Sequence, residues 1–205
     1  RVPPMMAPAN LRRRIGVDMQ LIGWQRDHGS DVVDDYGFFE RPLAAPALFS
    51  FKTRRMDVKP HGGAWSLKFT LSGRETYVFG RRRLALLPGE MLLVERGRIY
   101  ASEIREETAS LSLFVPDAWI GETATSLQQI ELGSFDRHDS AGPTSLPAVP
   151  LRLSGRSAAG LATLLDWVEP GDSDGAEELA VILTAEALAG AWSIDQSRLT
   201  VKREQ

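Results

Sequence analysis

The chain is 205 residues long, 43% hydrophobic and 25% charged, with a net charge of −3 and a pI near 5.7, the composition of one globular core with at most a small appendage. Cysteine is absent, which excludes disulfides and thiolate metal sites, and no apolar run approaches the roughly 18 residues of a membrane span. The acidic balance argues against a surface that grips DNA by neutralising phosphates, and no signal peptide opens the chain, so a cytoplasmic protein without a membrane partner is expected.

Residues 1–14 read as an arm: Pro3, Pro4 and Pro8 deny regular structure, and Arg12-Arg13-Arg14 is a solvated basic run. A first residue of Arg rather than Met points to an excerpt or processed chain. Ile15, Val17, Met19, Leu21 and Ile22 roughly alternate and predict a strand ending near Trp24. Asp27 to Asp35 is polar and acidic, a surface loop. After Pro42 and Pro46, residues 48–56 (LFSFKTRRM) predict a strand with Phe49 and Phe51 on one face.

The organising stretch is Lys59 to Glu103. Leu67-Phe69-Leu71 and Tyr77-Phe79 alternate on either side of Ser72-Gly73-Arg74, a hairpin signal. A tight turn at Leu87-Pro88-Gly89-Glu90 precedes the apolar run Met91 to Val94, and Arg96-Gly97-Arg98 turns after it. Arg81-Arg82-Arg83 follows Gly80 as a solvated loop. Short strands at this spacing predict an antiparallel barrel or sandwich. Ser110 to Val115 alternates again, Pro116 ends it, and Asp117 to Ile120 makes one helical turn. Residues 121–150 are a mixed connector with a short strand near Ile130 to Leu132 and three prolines, Pro143, Pro147 and Pro150.

Then the period changes. Leu161, Leu164, Leu165 and Val168 lie on one face of a helix over 154–168, stopped by Pro170-Gly171. Asp174 with Glu177 resembles a capping box, and a second helix runs from about Gly175 to Trp192. Its apolar positions, Leu179, Ile182, Leu183, Leu188 and Trp192, form a face wider than one neighbouring helix needs, which predicts a homodimer contact. Ser193 to Gln205 reads as a linker.

Catalytic signals are missing. His28, His61 and His138 are scattered, and no HExxH, GxSxG, P-loop or GxGxxG occurs. No enzyme, cofactor or metal is expected from the residues themselves.

The central stretch resembles the cupin double motif. Gly73 stands where the first motif ends, and Gly89 and Gly97 where the second begins and turns. Cupin enzymes hold a metal with two histidines and a glutamate from the first motif and a histidine from the second. Here those positions are Lys59, His61, Ser66 and Tyr100, so at most one ligand survives, too few for a divalent site. More finely, LSGRETYVFGRRRLALLPGEMLLV and the later RIYASEI and SLSLFVPDAWI are similar to the N-terminal sensor domains of AraC-type transcriptional regulators, over roughly residues 48–120. That resemblance implies a cupin-like antiparallel jelly-roll barrel followed by two C-terminal α-helices. It also implies a small-molecule effector, a homodimer, and DNA binding only through a C-terminal domain absent from this chain. The division expected is 1–14 arm, 15–150 sensing barrel, 151–192 helical dimerisation segment and 193–205 linker. The alternatives are a cupin-fold metalloenzyme, isomerase or dioxygenase, and a stand-alone cupin-like binding protein.

A closed barrel must be filled by side chains or a ligand. Trp65, Tyr77, Phe79 and Tyr100 are the candidate lining residues, since aromatics bury area and Tyr or Trp adds a polar handle. Lys68 poses a conflict. The cupin alignment turns Ser66, Lys68 and Thr70 inward, whereas the alternation points Leu67, Phe69 and Leu71 to a core and Lys68 to water. The cost of burying an unpaired lysine decides for the outward position, unless the pocket takes an anion.

Overall fold

The computed structural model describes residues 20–23, 32–33, 43, 46–132, 146–168 and 176–203, with main chain alone for 20–23, 32–33, 128–130, 131–132, 164, 166–168, 176–178 and 195–203. Among the described residues eleven strands form two sheets. They are β1 Gln20–Gly23, β2 Val32–Val33, β3 Ala47–Thr53, β4 Met56–His61, β5 Trp65–Ser72, β6 Glu75–Phe79, β7 Arg82–Leu86, β8 Glu90–Val94, β9 Tyr100–Ile104, β10 Thr108–Val115 and β11 Pro150–Arg152. The larger sheet has the order β1-β3-β10-β5-β8-β11 and the smaller one β2-β4-β9-β6-β7. Four antiparallel pairs are nested: β6 with β7, β5 with β8, β4 with β9 and β3 with β10. Successive pairs fall in alternate sheets, which is a long hairpin rolled up on itself: a jelly roll.

That winding corrects the hairpin expected at Ser72-Gly73-Arg74. β5 and β6 do not pair; β5 lies between β10 and β8, and β6 between β9 and β7. The turn is a corner that carries the chain from one sheet to the other. Gly73 is required there twice over. Its φ is +73°, and a Cβ would stand 2.3 Å from the Glu107 carbonyl oxygen, in the matching corner between β9 and β10. Thr108 ties the two corners together: its Oγ1 accepts from the Arg74 amide at 3.2 Å and lies 3.1 Å from the Arg74 carbonyl. The true hairpin is β6–β7, with Phe79 opposite Arg82 across Gly80-Arg81, so Arg82 and Arg83 belong to a strand rather than to a loop.

Other boundaries move for local reasons. The strand expected over 48–56 is two, because Thr53 Oγ1 bonds to Arg55 at 3.1 and 3.4 Å and turns the chain; Met56 then opens β4. The loop expected over Asp27 to Asp35 contains β2, whose two β-branched valines pair in parallel with β4. The single helical turn after Pro116 is a full helix, α1 Asp117–Leu132, which absorbs the strand expected at Ile130 to Leu132. The arm 1–14 and the Asp174 cap lie outside the described residues.

The helices α2 Gly155–Val168 and α3 Ala176–Arg203 follow β11. Ser154 caps α2, its Oγ accepting from the Ser157 amide at 3.0 Å. α3 continues through most of the stretch expected to be a linker. All three helices cover the outer face of the six-stranded sheet. Leu67 and Phe69 of β5, Met91 and Leu93 of β8, and Leu111 and Leu113 of β10 pack there against Ile120, Leu161, Ala180, Leu183, Ala187, Leu188 and Ala191. Leu183 and Leu188 were expected at a dimer contact. They are instead buried in the chain's own core, with Leu179 and Trp192 packed against it. The wide apolar face of α3 is wide because it meets a sheet as well as helices. Ile182 is half-buried, and Val181, 41% exposed, is the large apolar residue that α3 leaves outward among the described residues. No helix of the described residues is long and apolar enough to cross a membrane.

Candidate ligand site in the barrel interior

Alternation along β5 and β10 sends one set of side chains to the helices and the other into the barrel. The helix-facing set is apolar, so the inward set is Ser66, Lys68 and Thr70 on β5 and Ser110, Ser112 and Phe114 on β10. The register sets them opposite one another: Thr70 with Ser110, Lys68 with Ser112, Ser66 with Phe114. The inner wall of the larger sheet is therefore a ladder of hydroxyls around one lysine. Lys68 is 4% exposed, which overturns the outward position expected for it. The assignment failed because Leu67, Phe69 and Leu71 do face a core, but that core lies outside the barrel.

Across the interior, β6 and β9 supply Glu75, Tyr77, Tyr100 and Ser102, all buried. Tyr100 is the hub of the aromatic wall. Its ring centroid lies 4.4 Å from that of His61, 5.9 Å from Tyr77 and 5.9 Å from Phe79. Tyr77, Phe79 and Tyr100 thus come together. Trp65 does not join them; it packs with the helix-side core, being in phase with Leu67 and out of phase with Ser66. The end of the connector closes one side. Leu146 is gripped through both main-chain groups, its amide donating to Glu95 Oε1 at 2.6 Å and its carbonyl accepting from Arg98 Nη1 at 2.5 Å, and Ala148 reaches the cluster of Tyr77, Leu86, Leu92 and Tyr100.

The electrostatics of this interior are those of charges removed from water. Burial pulls Lys68 from 10.5 down to about 8, against the opposing pull of Glu75. Its Nζ donates to Ser112 Oγ at 3.2 Å and stands 4.5 Å from the Phe114 ring centroid and 5.4 Å from that of Tyr100. Burial pushes the Glu75 carboxyl up toward the neutral acid, although Ser110, Ser102, Lys68 and Tyr77 all act to hold it down. Tyr77 is held well above its usual range by burial and by Glu75. Ser66 Oγ and Thr70 Oγ1 have no hydrogen-bond partner, and Ser110 Oγ and Glu75 Oε2 make none within hydrogen-bond geometry, although Ser110 lies near enough to the carboxyl to favour its anion. Buried polar atoms are nearly always paired in folded proteins, by protein, water or ligand, so these four are the interior's candidate contacts for a polar partner.

A cupin-type metal does not fit this interior. Of the four corresponding positions, Lys59 is exposed, and His61, Ser66 and Tyr100 are buried. One imidazole with a hydroxyl and a phenol is not a divalent donor set. His61 Nδ1 moreover donates to the Lys59 carbonyl at 2.9 Å. Among the described residues no group of three His, Cys, Asp or Glu side chains stands where it could hold a metal ion.

Glu75, Ser102, Ser110 and Ser112 were not singled out from the sequence, while Ser66 and Thr70 came up only through the cupin alignment, which turns them inward. One signal was present. The polar positions of SLSLF are small hydroxyls rather than the charged side chains a water-facing strand carries.

No family model matches the sequence, and neither does any curated protein. Among solved structures, the fold is similar to that of the AraC-like transcriptional activator CuxR, at 20% identity over 62% of this chain and 41% of that one, with a TM-score of 0.39. ToxT from Vibrio cholerae is similar at 8% identity over 71% of this chain and 55% of that one, with a TM-score of 0.47. A cupin-2 domain protein from Shewanella frigidimarina is similar at 16% identity over 38% of this chain and 76% of that one, with a TM-score of 0.33. The structural neighbours thus include AraC-type regulators and cupins. The chain spans about half the length, or less, of the two regulators.

Proposed function

We propose that this chain is the effector-sensing and dimerisation part of a cytoplasmic AraC-type transcriptional regulator, with the barrel interior as the effector site. The observation that carries the reading is the set of four buried, unpartnered oxygens around Lys68 and the Tyr100 aromatic wall. The resemblance of roughly residues 48–120 to AraC-type sensor domains and the order of barrel then helices support it. Dimerisation, with Leu183 and Leu188 engaged inside the chain, falls to the outward side of α3 at Val181 and Ile182.

The test fuses the chain to a helix-turn-helix domain that represses a reporter only as a dimer. Repression that responds to an added small molecule, and that Val181→Glu abolishes while the chain stays folded, is the expected result. A fusion that never represses, in a chain monomeric by light scattering at high micromolar concentration, overturns the dimerisation half. A full equivalent of iron, manganese or zinc in the purified protein would instead favour a cupin metalloenzyme.

A further inference from the structure

The inner wall of the larger sheet carries a buried cation that no carboxylate touches among the described residues. Lys68 uses one N–H on Ser112 and rests against two aromatic faces. Among the described residues, no carboxylate forms an ion pair with it. Among the described residues Glu75 is the acid within its electrostatic reach, and it is buried with Oε2 outside hydrogen-bond geometry, near Ser102, Ser110 and Tyr77. The other cation at this end, Arg98, is committed to Glu95 at 3.1 Å and to the Leu146 carbonyl. A buried cation is tolerated when an anion or a dense set of acceptors meets it. Here the acceptors nearby are hydroxyls left bare: Ser66 and Thr70, one step along the same face of β5 on either side of Lys68, and Ser110 opposite Thr70. Ser66 and Thr70 are thus two steps apart on one strand face, about 13 Å between their Cα atoms, the reach of an extended six-carbon molecule hydrogen-bonded at both ends.

These features sort the possible ligands. Water would satisfy the hydroxyls and leave the charge. An alkyl carboxylate would answer the charge and leave four oxygens bare, and a neutral polyol would do the reverse. A phosphate, with nearly two negative charges, asks for more than one free cation. We propose that the barrel interior binds a small hydroxylated monocarboxylate of the sugar-acid kind, its carboxylate on Lys68 and its hydroxyls on Ser66, Thr70, Ser110 and Glu75, with Tyr100 and Phe114 against its carbon skeleton. The assignment rests on the reading of the interior as the effector site.

Calorimetric titration of the 205-residue chain with three probes tests it: gluconate, which has charge and hydroxyls; sorbitol, which has the hydroxyls alone; and octanoate, which has the charge alone. Galactonate and glucuronate are run beside gluconate to cover stereochemistry. At least one sugar acid is expected to bind at least about tenfold more tightly than sorbitol or octanoate, since each of those leaves buried polar groups unpaired. Lys68→Met is expected to remove that preference and Ser110→Ala to weaken binding several-fold. Should Lys68→Met fail to fold by its melt, Ser66→Ala and Thr70→Val carry the same comparison. Sorbitol or octanoate binding as tightly as the sugar acids, with the binding lost in Ser110→Ala, overturns the ligand class and leaves the effector site standing. Binding that survives both Lys68→Met and Ser110→Ala overturns the placement. Silence from all five probes overturns the ligand class.

Discussion

The two sheets obey opposite rules. The smaller sheet turns its outer face to water, where Arg83 meets Glu103 at 2.6 Å and Arg105 meets Asp57 at 2.5 Å, and its inner face is mostly aromatic and aliphatic, with Tyr77, Leu86, Tyr100 and Ile104 around the polar Glu75 and Ser102. The larger sheet is inside out. Its outer face is the apolar one, because helices cover it, and its inner face carries hydroxyls and a lysine. Alternation in a strand therefore reports that two faces differ. Which of them is the interior depends on what else lies against the sheet.

Several substitutions sharpen this contrast. The largest effect is expected on the helix side of the larger sheet. Phe69 is fully buried between β5 and the helices, and Phe69→Ala should cost about 3–5 kcal/mol in chemical denaturation. If Phe69 instead faced an open pocket, the loss would be small.

Lys68→Met, one residue earlier on the opposite face, should act with the other sign. Burial lowers Lys68 to about 8 from 10.5, so between those values the folded chain binds fewer protons than the unfolded one. Stability should then rise as pH climbs from about 8 toward 10. Below pH 8 the whole cost stands, on the order of 3 kcal/mol, and Lys68→Met should recover a large part of it at pH 7 and flatten the profile. Near pH 10 Tyr77, held above its usual range, begins to oppose the trend. Thermal melts of both proteins across pH 7 to 10 check this; parallel profiles would place Lys68 in water.

Gly73→Ala probes the corner where the two sheets meet. With φ at +73° and backbone within 3 Å of the new Cβ, the loss should be about 1–3 kcal/mol, read in the same denaturation assay. The smallest effect belongs to the outer face of the smaller sheet. Arg105→Ala breaks exposed pairs with Asp57 and Glu103 and should cost less than about 1 kcal/mol, falling further at high salt.

The same contrast explains what was legible in the sequence. Turn chemistry and periodicity located β5, β6, β8, β10 and α2, and glycine spacing pointed to the jelly roll. Pairing was not legible: Ser72-Gly73-Arg74 has the residues of a hairpin and makes a corner, since a tight turn fixes the local reversal and not the sheet that receives the next strand. Tyr77, Phe79 and Tyr100 could be grouped because aromatics on short strands of a barrel have few places to go. Lys68 and Trp65 were exchanged, because each was assigned by hydrophobicity to a face whose polarity only the helices determine. The extra length of α3 was hidden for a related reason: polar composition after Ser193 reads as linker, and a helix that leaves its core still keeps its backbone hydrogen bonds.

The nesting of the four strand pairs has a consequence for how the chain reaches this state. Only β6 and β7 are neighbours in sequence, joined through Gly80-Arg81, while Thr53 must find Thr108 across everything between them. Closing a loop costs entropy that grows with its length, and each inner pair, once formed, shortens the loop the next one has to close. The cheap order is thus from the β6–β7 hairpin outward, with the β3–β10 seam last and the helices able to dock only on a sheet that this seam has completed. Such a molecule folds slowly for its size. Changes at Gly80 should register in its refolding rate, and changes at β3 in its unfolding rate.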